Sequence, residues 1–121
     1  MKITSILPMV IRIIGVIQLI LGIVFWTGNA DSLVIVHIVL GSILVIALWL
    51  LAYQASRAGV SRRLVILAVV WGLILPIWGL SQDKILPGFY NWITQVLHLL
   101  CGFGAVGMAE MLAPQMRKKS A

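Results

Sequence analysis

The chain has 121 residues, of which 62% are hydrophobic and only 10% charged, and its mean hydropathy is +1.13. A soluble domain carries about a quarter charged residues, so the composition excludes a water-coated globule and points to the bilayer as solvent. The formal charge of +6 does not indicate a nucleic-acid partner. Lys2, Arg12, Arg57, Arg62, Arg63, Arg117, Lys118 and Lys119 lie at or near the ends of apolar runs, and Lys84 alone lies elsewhere; that is the layout of a topology signal.

Four apolar runs predict four transmembrane helices. The first, about residues 8–26, is about 20 residues long and therefore able to span. It is read as a span and not as a removable leader, although Gly28-Asn29-Ala30 loosely resembles a cleavage site. A polar link, Thr27 to Ser32, leads to the second run, 33–53. Gln54 to Arg63 carries Arg57, Arg62 and Arg63 and leads to the third run, 64–80, the shortest. Ser81 to Gly88, with Pro87 and Gly88, leads to the fourth run, 89–112. Short links with turn residues join antiparallel neighbours, and a spanning backbone must satisfy its own hydrogen bonds, which excludes isolated strands. The expectation is a single domain over 1–121: an all-α membrane protein, a four-helix transmembrane bundle running up-down-up-down.

The basic residues orient it. The middle link and the C-terminal tail hold Arg57, Arg62, Arg63, Arg117, Lys118 and Lys119, and the N-terminus adds Lys2 and Arg12; both termini are expected to be cytoplasmic. Trp26, Trp78, Tyr90 and Trp92 fall near the outer ends, where interfacial aromatics belong. Small size and the inside-positive bias fit a bacterial inner membrane.

A faint internal repeat relates the halves. Each begins with basic residues, and each first helix ends near tryptophan and glycine (Trp26 with Gly28, Trp78 with Gly79). Each second helix carries a histidine followed four residues later by glycine, in His37-Ile-Val-Leu-Gly41 and His98-Leu-Leu-Cys-Gly102. The halves share one orientation, as in a parallel repeat.

The two histidines are the chain's only ones, and both fall inside spans, where an imidazole is costly unless something satisfies it. At 1.5 Å per residue His37 lies about 9 Å below Asp31 and His98 about 15 Å below Gly88. Helices two and four are diagonal partners in such a bundle, so the imidazoles are expected to face each other at similar depth. Asn91, Thr94, His98, Gly102, Ala105 and Ala109 share one face of helix four. His37, Gly41 and Val45 share a face of helix two, Gly15, Gln18 and Gly22 of helix one, and Ala68, Gly72, Pro76 and Gly79 of helix three. Small residues let membrane helices approach closely without any ligand. Glycine one turn from an imidazole also clears room for a flat cofactor held by that imidazole.

On these features the chain resembles a transmembrane b-type cytochrome, in which histidines from helices two and four of a bundle ligate haem. The resemblance rests on topology, histidine position and the His-x-x-x-Gly spacing, over the whole chain but without an extended signature. It implies one haem b with His37 and His98 as axial metal ligands. Gly41, Gly102, Gly22 and Gly79 would border it. Two-haem members carry four histidines, so one haem is the most this chain would hold, nearer the outer face. The expected function is a small membrane cytochrome b that passes single electrons to or from quinol or another redox partner, as a component of a quinol-linked oxidoreductase. Membrane lipid, a quinone, a second copy or a larger redox complex are the partners this implies.

Two other classes use the same residues differently. A cofactor-free structural or assembly subunit would employ the glycine faces for packing and the histidines as interhelical hydrogen bonds. A small carrier or channel is disfavoured by the lack of coupling carboxylates. Glu110 is the one carboxylate in a span, expected at the depth of Arg12 and able to pair with it. Gln18 is expected to bond between helices, and Lys84, Asn29 and Asn91 stand nearest a haem's carboxylates. The single cysteine, Cys101, allows no intrachain disulfide and reads as a small apolar residue. Ser42, Ser56 and Ser61 lack a base with an orienting acid, so soluble-type catalysis is not expected.

Overall fold

The computed structural model describes residues 3–28, 31–85 and 88–120; Lys2, Asn29, Ala30 and Pro87 lie outside the described residues. Four long helices dominate: α1 (Ile3–Phe25), α2 (Val34–Arg57), α3 (Arg62–Ile85) and α4 (Asn91–Ser120). Single 3-10 turns, Asp31–Leu33 and Gly88–Tyr90, lead into α2 and α4. The stretches Ile6–Phe25, Asp31–Arg57, Arg62–Gln82 and Gly88–Lys119 are each long and apolar enough to cross a membrane. Every regular element among the described residues is helical.

The helices outrun the apolar runs that predict them. α2 continues through Gln54 to Arg57, and α3 starts at Arg62 and continues through Ser81 and Gln82 to Ile85. α4 runs past Leu112 and through Pro114. Hydropathy marks where a helix stops being apolar, whereas backbone hydrogen bonding stops only at a residue that breaks it. Between α2 and α3 that residue is Gly59, at φ 85°. The Val60 N–H returns to the Ala55 carbonyl (3.0 Å) and the Gly59 N–H to Ser56 (3.2 Å), with Val60 buried over the last turn. This is the glycine-terminated closure in which a left-handed residue releases the chain. Gly28 (φ 77°) and Gly88 (φ 76°) end or begin the other two connections in the same left-handed region, which costs glycine nothing.

Cross-helix contacts show neighbouring helices to be antiparallel. Arg12 meets Glu110 while Trp26 meets Gln95, and Trp71 meets Cys101 while Trp78 meets Thr94. Helices α2 and α4 also touch across the diagonal. The core is concentrated at the end holding the Ala58–Ser61 turn. There Leu7, Ile11, Leu48, Leu51, Ala52, Ala55, Ala105, Ala109 and Leu112 are buried. At the opposite, histidine end, burial is sparse, with Leu21 and Thr94 its main members. The outward surface is apolar: Ile13, Ile35, Ile46, Val70, Ile77, Leu100 and Phe103 are all exposed, as lipid-facing positions should be.

Pro76 departs from the expected face. It is exposed, whereas Ala68 and Gly72 point inward and Leu75 takes the buried place beside them. Ser42, Val45, Ile46, Trp49 and Pro76 line a shallow apolar groove of about 200 Å³ on the α2–α3 flank.

Candidate functional site

The two histidines meet. Their ring centroids are 6.2 Å apart, with the planes at 67°. The backbone explains this: α2 and α4 run in the same direction, touch on the diagonal, and each carries its histidine about one turn or two inside the helix start. Phe25, at the end of α1, closes one side of His37 in an edge-to-face contact at 5.3 Å. Gly79 on α3 closes one side of His98, so tightly that a Cβ there would stand 2.8 Å from His98 Cε1. Both rings are half-buried, and Nδ1 of each is buried without a hydrogen-bond partner.

Unpartnered buried nitrogen is expensive, and each ring of the pair carries one. An imidazole ligates metal through either nitrogen. Two metal–nitrogen bonds of about 2.0–2.1 Å together with the two ring radii come to slightly more than the observed ring separation, so an ion between the rings would part them a little. No group of three or more His, Cys, Asp or Glu side chains that could hold a metal ion occurs among the described residues. A metal held here would therefore draw its remaining ligands from a non-protein group. A porphyrin supplies four in a plane and leaves two axial positions for imidazole, and two imidazoles are the number such a group would call for.

The four glycines around the pair divide. Gly102 has no atom within 4 Å of where a Cβ would lie, and Gly22 has only Leu99 Cδ1 at 3.9 Å; both border open space. Gly79 is occupied by the His98 ring. Gly41 is occupied by Gln18, whose Nε2 would lie 2.9 Å from a Cβ. Gln18 Nε2–H donates to the His37 carbonyl at 2.9 Å, the interhelical bond expected of it.

A polar cluster closes the histidine end one turn beyond His98. The Trp26 indole donates to Gln95 Oε1 (2.6 Å) and Gln95 Nε2–H to Asn91 Oδ1 (2.8 Å). Asn91 Nδ2–H donates to the Gln82 carbonyl (2.9 Å), and Trp78 donates to the Thr94 carbonyl (2.9 Å). Lys84 is exposed at this end, and Asn29 lies outside the described residues. At the other end Arg12 and Glu110 form the expected pair, with two parallel hydrogen bonds, one of them 2.8 Å long. That pair is remote from the histidines.

Sequence reasoning missed two tryptophans that bond from one helix to the next. Trp71 donates to the Cys101 carbonyl (2.8 Å) and its ring covers Gly104. Trp49 donates to the Val69 carbonyl (3.1 Å) and its ring covers Gly72. For Trp71 the usable signal was its place in mid-span, away from the span ends where tryptophan is ordinarily found. No protein-family model, curated protein or solved structure matches this chain.

Proposed function

We propose that this chain is a small multi-pass membrane cytochrome b, holding one haem b between α2 and α4 through His37 and His98 and passing single electrons. The observation that carries the reading is the opposed imidazole pair, 6.2 Å apart, with a buried, partnerless nitrogen on each ring. When bound, haem supplies one-electron redox chemistry. The chain's own residues hold and shield it. His37 and His98 ligate, Gly22 and Gly102 leave room, Gly79 lets His98 lie close to α3, and Phe25 fixes the His37 ring.

The bundle runs up-down-up-down with both termini cytoplasmic, in a membrane such as a bacterial inner membrane. The positive-inside rule, applied to Arg57, Arg62, Arg63, Arg117, Lys118 and Lys119, supports the turn end as the inner one. The haem then sits nearer the outer face. One haem at that depth does not carry an electron across the whole bilayer, so exchange is with quinol, an outer redox protein or a larger complex.

The test is an absorption spectrum of detergent-purified protein, oxidised and then dithionite-reduced. The expected result is a Soret band with sharp reduced b-type bands, lost in both His37→Ala and His98→Ala. Retained haem in both variants overturns the ligand assignment. A featureless spectrum, unchanged by added haem, favours a cofactor-free structural or assembly subunit. The specific observation behind that second reading is the pair of tryptophan–glycine interlocks, Trp71 on Gly104 and Trp49 on Gly72, which tie α3 to both neighbours without any ligand.

A further inference from the structure

Gln18 is the polar side chain that haem ligation leaves without a task. It lies in the interior of the α1 span, and its Nε2–H donates to the His37 carbonyl at 2.9 Å. A side-chain amide's oxygen and nitrogen are assigned from their partners. Here the partner is a carbonyl, which only accepts, so the end facing α2 is nitrogen and the oxygen is turned away from that backbone. The oxygen is buried and has no hydrogen-bond partner. An orphaned buried acceptor of this kind costs stability, and a leucine at the same place would avoid it. The internal repeat sharpens the contrast. The residue that packs on α4's histidine in the second half is Gly79, while the one that packs beside α2's histidine in the first half is Gln18, seated against Gly41. Gly41 stands one helical turn from His37, so the amide lies within about a turn of that histidine's backbone.

We propose that Gln18 sets the redox potential of the bound haem without ligating it. With its nitrogen end held by the His37 carbonyl and its buried oxygen without a partner, its amide dipole stabilises the ferric over the ferrous state. This inference rests on the cytochrome reading. Groups outside the ligand shell tune a metal centre through oriented hydrogen bonds and dipoles, and such dipoles act strongly where the local dielectric is low.

The experiment compares the full-length wild type with Gln18→Leu and Gln18→Glu, measuring haem-to-protein ratio and then the midpoint by redox titration at several pH values. Both variants are expected to keep haem at the wild-type ratio. Gln18→Leu is expected to raise the midpoint, the reduced-to-oxidised ratio at fixed potential rising about tenfold, which is 59 mV for a one-electron couple. Gln18→Glu is expected to lower the midpoint at high pH and make it pH-dependent. A Gln18→Leu protein with full haem and the wild-type midpoint overturns the assignment and leaves the cytochrome reading standing. Should Gln18→Leu fail to fold, Gln18→Glu decides alone, and an unchanged, pH-independent midpoint overturns it. A wild type that stays colourless with added haem removes the cytochrome reading and this inference with it.

Discussion

Trp71 is locked to Gly104. Its indole N–H donates to the Cys101 carbonyl at 2.8 Å while the six-membered ring lies over the glycine, and any side chain at Gly104 would run into that ring. Because the hydrogen bond holds the indole, the ring has little freedom to retreat.

Gly104→Ala is therefore expected to destabilise the α3–α4 interface by about 1–3 kcal/mol, the usual cost of overpacking. Gly107→Ala is the control. A Cβ there meets nothing within 4 Å, and alanine is favoured over glycine in a helix by up to about 1 kcal/mol. Thermal unfolding in detergent should lower the midpoint for the first and leave it unchanged or raised for the second. Equal shifts would show that the indole contact does not decide the interface.

Gly102→Leu separates folding from cofactor capacity. Open space surrounds the Gly102 position, so the variant should fold and elute like wild type. Under the cytochrome reading that space belongs to the haem, and haem content should fall several-fold. A folded Gly102→Leu protein with full haem content would move the macrocycle to another side of the histidine pair.

The Arg12–Glu110 pair ties the start of α1 to the end of α4 through two hydrogen bonds, yet both side chains are largely exposed. Glu110→Gln and Arg12→Gln should each lower stability, and the double variant should lose less than the two combined. The coupling should persist as salt rises, since the pair lies on the outside of the bundle but within the Ile6–Phe25 and Gly88–Lys119 spans, away from bulk ions. Absence of coupling in a double-mutant cycle would reduce the contact to geometry.

Orientation has its own readout. With Cys101 replaced by Ser, a membrane-impermeant thiol reagent added to intact cells should label Thr27→Cys and spare Ser61→Cys. The reverse pattern would invert the bundle and place the histidine pair near the cytoplasm.

The sequence made the number of helices legible, because four apolar runs of spanning length are separated by short polar links. It also made the histidine pair legible, because polar residues inside a span must face one another. It did not reveal which apolar residues face inward. Leu48 is fully buried and Leu50 is half exposed, although both are leucines on one helix. In a soluble helix polarity separates the two faces, whereas in a span lipid and core are equally apolar and only small or polar residues betray the inner face. The same ambiguity hid Pro76 on the outside and Trp49 and Trp71 between the helices. Gln18 was legible as an interhelical bond but not as the occupant of the notch at Gly41, since that depends on a side-chain conformation.

The uneven core makes the bundle a clamp with a fixed heel and a yielding jaw. Parting the helices at the histidine end disturbs few buried side chains, while the heel around Leu48, Leu51 and Leu112 stays shut, and local opening follows such differences in contact density. A flat guest arriving between the jaws needs no unfolding of the heel. Under the cytochrome reading, insertion of the four helices and capture of the haem would be separable events.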